Sequence, residues 1–213
     1  MNEIKTQDEK QKFQISGIFP VPIYHEPFDR EFTQKELNYF EKIREKDFKN
    51  VGNVTSDDNY ILNNKELKIL KEDLNTSIKK YFDNVICPEN NILPYITQSW
   101  LNWTKPGQFH HKHNHPNSII SGVLYINADE KNDSIQFYNE RRDQIEIHTE
   151  KLNIFNTKAA NFIVKTGLLI LFPSWLDHAV NVKNGDNTRV SLAFNTFIRG
   201  EFGHRRSLTE LKL

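Results

Sequence analysis

Four of the eight histidines in this 213-residue chain fall within the run His110-His111-Lys112-His113-Asn114-His115, and a lone His178 and Arg189 follow far downstream. Side chains two apart on an extended backbone share a face, with Cα atoms roughly 6.5 Å apart, so His113 and His115 can grip one cation from adjacent corners. A third histidine delivered by tertiary structure closes the set, and an arginine beside it offers a carboxylate grip. That is the layout of a mononuclear iron site working with a dicarboxylate co-substrate. Imidazole suits Fe, Zn, Cu and Ni alike, so ligand type alone leaves the metal open. The bland alternative is a solvated, accidentally histidine-rich loop. Against it, Lys105-Pro106-Gly107 is turn chemistry just upstream, which puts the cluster at the mouth of a strand pair.

The downstream pair is expected to sit on a β-hairpin. His178-Ala179-Val180-Asn181-Val182 precedes the turn text Lys183-Asn184-Gly185-Asp186-Asn187, and Thr188 to Asn195 follows. Asn-Gly is a strong hairpin signal. A two-residue loop sets His178 opposite Ser191, and a four-residue loop sets it opposite Ala193. In either register Arg189, Ser191, Ala193 and Asn195 share the face of His178, whereas a three-residue loop reverses the parity. Val190, Leu192 and Phe194 make the other face apolar, so a charged Arg189 on such a strand needs a buried partner.

The elements that must position these residues fall into two textures. Thr33-Gln34-Lys35-Glu36 is a capping-box pattern ahead of a first helix, and Leu67, Leu70, Leu74, Ile78 and Tyr81 recur at helical spacing in a second. Ahead of them Ile15 to His25, broken by Pro20 and Pro22, reads as an edge strand or a crossing segment. From Tyr95 onward the text predicts eight strands: Tyr95–Thr104, Ile119–Asn127, Ile135–Tyr138, Ile145–His148, Asn161–Val164, Leu168–Phe172, Ala179–Val182 and Thr188–Ile198. Strands behind two helices predict a mainly β (α+β) jelly-roll core with the N-terminal helices packed on one sheet. Residues 1–12 read as a flexible tail, and 13–213 as one domain, with a helical buttress over 29–94 and the core over 95–198.

Composition excludes several classes. The formal net charge is +0 with no basic block, so nucleic acid and acidic membrane surfaces are not expected partners. Cys87 is the only cysteine, which excludes an intramolecular disulfide and leans towards a reducing compartment. The charged text MNEIKTQDEKQK lacks the apolar run of a signal peptide, and Gly167 to Leu176 is too short to span a bilayer, so a cytoplasmic location is expected.

Read in order, the motifs resemble a known family. They are Ser99-Trp100-Leu101-Asn102, His113-x-His115-Pro116, Ser121-Gly122-Val123-Leu124-Tyr125-Ile126-Asn127, Gly167-x-Leu169-x-Leu171-Phe172-Pro173-Ser174-x-x-x-His178, and Arg189-x-Ser191-x-Ala193-Phe194-Asn195. This string resembles the iron(II)/2-oxoglutarate-dependent oxygenases, specifically the phage and marine-bacterial branch, over roughly residues 95 to 198. The resemblance implies a double-stranded β-helix, Fe(II) as metal, 2-oxoglutarate as co-substrate, and His113 and His178 as metal ligands. It implies His115 where most of the superfamily has Asp or Glu. It implies Arg189 on the distal carboxylate of 2-oxoglutarate with Ser191 beside it and Tyr125 touching the same group, and Asn102 and Asn195 lining the pocket. Three neutral imidazoles lack the hard anionic ligand that favours Fe(II) over Zn(II) and Cu(II). His111 is the other candidate for the place of His115, since it too lies two residues from His113.

The implied activity is hydroxylation of a small molecule or a protein side chain with O2, and a homodimer is compatible with it. Two other readings stay open on the residues alone. One is a three-histidine cupin-type dioxygenase or isomerase, which leaves Arg189 and Tyr125 without a task. The other is a non-catalytic barrel stabilised by structural Zn(II), with His110 or His111 as fourth ligand. Phe172 and Trp175 are candidate cavity walls, and 139–156 and 55–64 are candidate substrate-facing loops, with Arg141-Arg142 as a candidate acid-binding pair.

Overall fold

The computed structural model describes residues 14–89, 91–139 and 147–213. Its strands are β1 (Tyr24–Pro27), β2 (Asp47–Lys49), β3 (Val54–Ser56), β4 (Ile92–Thr104), β5 (His110–His113), β6 (Ile120–Asn127), β7 (Ser134–Tyr138), β8 (Ala159–Ile163), β9 (Leu168–Pro173), β10 (His178–Val180), β11 (Arg189–Phe202) and β12 (Leu211–Lys212). Two helices, α1 (Gln34–Ile43) and α2 (Lys68–Tyr81), precede β4. A major sheet runs in the order β1-β9-β6-β11-β4-β3-β2, with β12 pairing β11, and a minor sheet runs β5-β10-β7-β8. All the pairings between these strands are antiparallel, and the sequence passes repeatedly from one sheet to the other, as in a double-stranded β-helix.

Alternation along the central strands explains why they read as unbroken apolar runs. Leu101, Leu124, Leu169, Leu171, Leu192 and Phe194 point outward and join Leu67, Leu70, Leu74, Ile78 and Tyr81 of the helical layer in one buried cluster. Val123, Tyr125, Ile170, Phe172 and Ala193 point inward and pack with Ile135 and Phe137 of the minor sheet. Both faces of the major sheet are therefore buried, one under helices and one inside the sandwich. Gly122 belongs to this packing, because a Cβ there would collide with the ring of Phe194.

The capping box forms as its residues predict. Thr33 and Glu36 cap α1 reciprocally, and Arg30 bridges Glu36 at 2.7 Å and Asp73 at 2.8 Å, fastening α1 to α2. The edge segment becomes a strand only after its prolines, as β1 beside β9. The hairpin of β2 and β3, which extends the major sheet beyond β4, has no forecast in the sequence.

One expectation is overturned. β10 and β11 are not a hairpin: β10 pairs with β5 and β7 in the minor sheet, whereas β11 pairs with β4 and β6 in the major sheet. Asn184-Gly185 does turn the chain, with Gly185 at φ +81°, but the turn leads from one sheet to the other. The backbone of Lys183 is engaged by the β4–β5 turn, donating to Gln108 O at 2.8 Å and accepting from Gly107 N–H at 2.9 Å. Its ammonium is buried on Asp133 Oδ1 at 2.9 Å and on Asn187 Oδ1 at 2.8 Å. These bonds hold the crossover open. The strand expected over 145–148 falls partly outside the described residues, and Ile147 and His148 are not in a strand. The tail 1–12 and Arg141-Arg142 lie outside the described residues as well.

Candidate metal and co-substrate site

The histidines converge from neighbouring strands of the minor sheet. His113 ends β5 directly opposite His178, which begins β10, so both rings project from one face. His115 lies two residues beyond β5, pinned by its backbone N–H to Ser174 O at 2.9 Å. Ring centroids are 4.4 Å apart for His113 and His178, 5.1 Å for His113 and His115, and 5.0 Å for His115 and His178. One ligand nitrogen from each lies within 4.8 Å of the others. Nitrogens bound roughly 2.1 Å from one ion on a shared coordination face lie about 3.0–3.4 Å apart, so the rings close in on the ion to complete that face.

Each ring is oriented through Nδ1. That atom meets His111 O at 2.8 Å in His113, Ser121 Oγ at 2.7 Å in His115, and Leu176 O at 3.1 Å in His178. A backbone carbonyl only accepts, so Nδ1 of His113 and of His178 carries the proton and Nε2 keeps its lone pair for an ion. Burial, and then the neighbouring imidazoles, push His178 down to about 3 and His115 to about 4, and burial lowers His113 as well. All three are neutral near pH 7, as ligation requires.

His110, His111 and His113 form a second such group. His110 stacks on His113 at an interplanar angle of 25°, and near-parallel rings aim their in-plane lone pairs alongside each other, not at a common point. The set of His113, His115 and His178 is the better-directed one.

Across the sandwich the major sheet presents the polar row. Tyr125 opposes Ser191 and Ser191 opposes Asn102 on three adjacent strands, while Arg189 opposes Thr104 one step along the same face. Tyr125, Ser191, Asn102 and Arg189 line one cavity together with His113, His115 and His178. The hairpin geometry was wrong, yet the shared cavity stands: His178 and Arg189 face each other from opposing sheets. Asn195 does not line the cavity. Its Oδ1 lies 2.9 Å from Ser121 Oγ, behind His115.

Arg189 is the electrostatic oddity. It is 2% exposed, its Nη atoms reach only Ser134 O at 3.3 Å and Thr104 Oγ1 at 3.4 Å, and its Nε has no partner. The nearby carboxylate of Asp133 is already committed to Lys183 and to the backbone N–H of Asp129. Two buried cations thus share one anion, and burial lowers the proton affinity of Arg189 without discharging a guanidinium. The cavity is short of one carboxylate. Asn102 Oδ1 is also buried without a partner, and burial raises the Tyr125 phenol to about 12, which keeps it a donor.

Two aromatic side chains flank the imidazoles. Trp100 meets the His115 ring edge-on at 5.7 Å, and Phe172 packs on His178 at 4.7 Å. Trp175 is 65% exposed and walls nothing. Trp100 and Thr104 were reachable from Asn102 by strand parity. The Lys183–Asp133 pair, distant in sequence, left no signal.

Residues 98–195, from β4 into β11, match the protein family described as "Putative 2OG-Fe(II) oxygenase". Over those residues the chain is similar to that family. The fold agrees across solved structures of low identity. A Trichoplax adhaerens prolyl hydroxylase, solved with a hypoxia inducible factor peptide fragment, superposes with a TM-score of 0.59 at 12% identity, over 82% of this chain and 83% of that one. HygX from Streptomyces hygroscopicus, with nickel, 2-oxoglutarate and hygromycin B bound, gives 0.54 at 11% identity over 83% and 82%. A Pseudomonas putida prolyl-4-hydroxylase gives 0.53 at 12% identity over 82% and 92%. No curated protein sequence matches this chain significantly. Among the described residues, no helix is long and apolar enough to cross a membrane.

Proposed function

We propose that this oxygenase hydroxylates a C–H bond of its substrate while converting 2-oxoglutarate and O2 into succinate and CO2. The observation that carries the proposal is Arg189: a buried guanidinium lacking a carboxylate, facing a cluster of neutral imidazoles across one cavity. A ligand that supplies a carboxylate at one end and metal-binding oxygens at the other meets both needs.

In this reading His113, His115 and His178 hold Fe(II) through Nε2, and Arg189 forks onto the far carboxylate of 2-oxoglutarate. Tyr125 and Ser191 donate to the same carboxylate, and Asn102 lines the cavity wall beside them. When bound, Fe(II) and 2-oxoglutarate would furnish the electrons that activate O2, the oxidant, and the protein contributes orientation and exclusion of water. Val123, Ile135 and Ala193 form the dry wall between the two ends. The helical buttress and the barrel act as one unit, because their side chains share a core.

A peptide fragment and hygromycin B accompany two of the similar structures, so a protein side chain and a small polar molecule are the substrate classes to test. The first experiment needs neither. Anaerobically loaded protein is given Fe(II), 2-oxoglutarate and then O2, and succinate is measured without substrate. Slow turnover that depends on Arg189 supports the proposal. Absence of 2-oxoglutarate binding to the metal-loaded protein overturns it and leaves the three-histidine dioxygenase without 2-oxoglutarate.

A further inference from the structure

An imidazole ligand carries a requirement that a carboxylate ligand does not have. Either oxygen of an ionised carboxylate can ligate, whereas a neutral imidazole ligates only through the nitrogen that lacks the proton. The proton must therefore be held on the far nitrogen. His113 and His178 satisfy this with backbone carbonyls, which only accept. His115 instead meets a hydroxyl, Ser121 Oγ at 2.7 Å, which can accept or donate. Its tautomer is undecided until the hydroxyl's own proton is assigned.

The surrounding groups assign it. Ser121 Oγ lies 2.9 Å from Asn195 Oδ1, an amide oxygen that only accepts, so the Ser121 proton points there. Ser174 Oγ, 2.8 Å from Ser121 Oγ, donates onward to Ser118 Oγ at 2.7 Å. Ser118 Oγ in turn donates to the carbonyls of Thr196 at 3.1 Å and Ile120 at 3.2 Å. Ser121 and Ser174 are wholly buried and Asn195 is 7% exposed, which leaves little access for water to offer another donor. Every proton in the chain points away from His115, and Ser121 is left as an acceptor. The strand register builds this in, since Ser121 of β6 lies directly opposite Asn195 of β11.

We propose that Ser121 and Asn195 are positioning residues of the metal centre, locking His115 in the tautomer with its proton on Nδ1 and Nε2 free for the ion. The orientation of the Asn195 amide is the deciding element. Turned over, its NH2 would donate to Ser121, whose proton, no longer drawn to Asn195, would be shared between Ser174 Oγ and His115 Nδ1; to the extent that it goes to His115, Nε2 is protonated and unable to ligate. The inference rests on the reading of His115 as a ligand given under Proposed function.

The test reads the tautomer directly in metal-free protein, by long-range 1H–15N NMR of 15N-histidine-labelled samples, and then Co(II) affinity by optical titration. Wild type should show His115 protonated on Nδ1. Ser121→Ala should shift it towards the Nε2–H form and weaken Co(II) binding roughly 10- to 100-fold, the usual effect of losing a partner behind a metal ligand. Asn195→Asp keeps an acceptor and should retain the wild-type tautomer, whereas Asn195→Leu should reproduce the Ser121→Ala shift if that variant does not fold. An unchanged tautomer and Co(II) affinity in Ser121→Ala or Asn195→Leu overturns the relay. His115→Ala tests the underlying reading separately: if it binds Co(II) as wild type does, His115 is not a ligand, whatever its tautomer.

Discussion

Replacing Arg189 by methionine should make the ligand-free protein more stable and the co-substrate site useless. The guanidinium is 2% exposed with an orphaned Nε, and its two contacts, at 3.3 and 3.4 Å, are near the limit for a hydrogen bond. A buried charge without its counter-ion is a liability, and exchanging buried ionic groups for apolar ones of similar volume stabilises other proteins by about 1–4 kcal/mol. For a chain of this size each kcal/mol is about 2–4 °C in Tm, so Arg189→Met should raise the melting temperature by several degrees. The same substitution removes two charge-assisted hydrogen bonds to a ligand carboxylate, each worth about 1.5–3 kcal/mol, and 2-oxoglutarate affinity should fall at least about 100-fold. Arg189→Lys keeps the charge and loses the fork, so its loss should be about 10- to 100-fold, or 1.4–2.8 kcal/mol. Differential scanning calorimetry on apo protein and anaerobic titration of 2-oxoglutarate into Mn(II)-loaded protein read the two effects. A lowered Tm together with an unchanged 2-oxoglutarate affinity for Arg189→Met would refute the charge argument.

Four further outcomes are expected. His178→Ala should abolish retention of Fe(II) or Co(II) after gel filtration, and wild-type metal content would remove His178 from the ligand set. His115→Asp should retain metal and shift competition from Cu(II) towards Fe(II) or Mn(II). If instead His111→Ala empties the site and His115→Asp changes nothing, the two histidines exchange roles. The folded-state pKa of His178 lies below its unfolded value of about 6.5, so unfolded chains gain protons first on acidification. Metal-free stability should therefore be full above about pH 6.5 and decline below it, by about 2 kcal/mol at pH 5 from this residue alone. Urea unfolding at both pH values checks this, and His178→Ala should reduce the difference, leaving the share of His113 and His115. Asp133→Asn strands the buried Lys183 and should destabilise by about 3–5 kcal/mol, measured by the same unfolding assay.

The sequence disclosed the site more fully than the topology that builds it. Parity along single strands was legible because each strand of the major sheet is buried on both faces. Leu192 and Phe194 had to face one core, which leaves Arg189, Ser191 and Ala193 to face the other. The strand partners were not legible. Asn184-Gly185 announces a turn, but whether the chain folds back or crosses to the opposite sheet depends on Lys183, whose partners at 107, 108 and 133 lie far away in sequence. Asn195 was misplaced for a related reason. It shares the face of Arg189, yet the register that sets it opposite Ser121 draws its amide into the bonds behind His115. The β2–β3 hairpin escaped notice because three-residue strands carry too little alternation to stand out.

The two sheets carry unequal responsibilities. The helices brace the major sheet from outside, so that wall is complete before any ligand arrives. His113 and His178 sit on short strands of the minor sheet, where β5 is a four-residue edge strand and β10 spans three residues, and His115 follows just beyond β5. An ion held on the minor sheet and a co-substrate anchored at Arg189 on the major one would rivet the walls together. Occupancy then becomes a mechanical property: amide exchange should slow in β5, β7 and β10 on loading, while β6 and β11 change little. It also leaves the thinner wall to take its final shape from what it binds, while the braced one keeps its own.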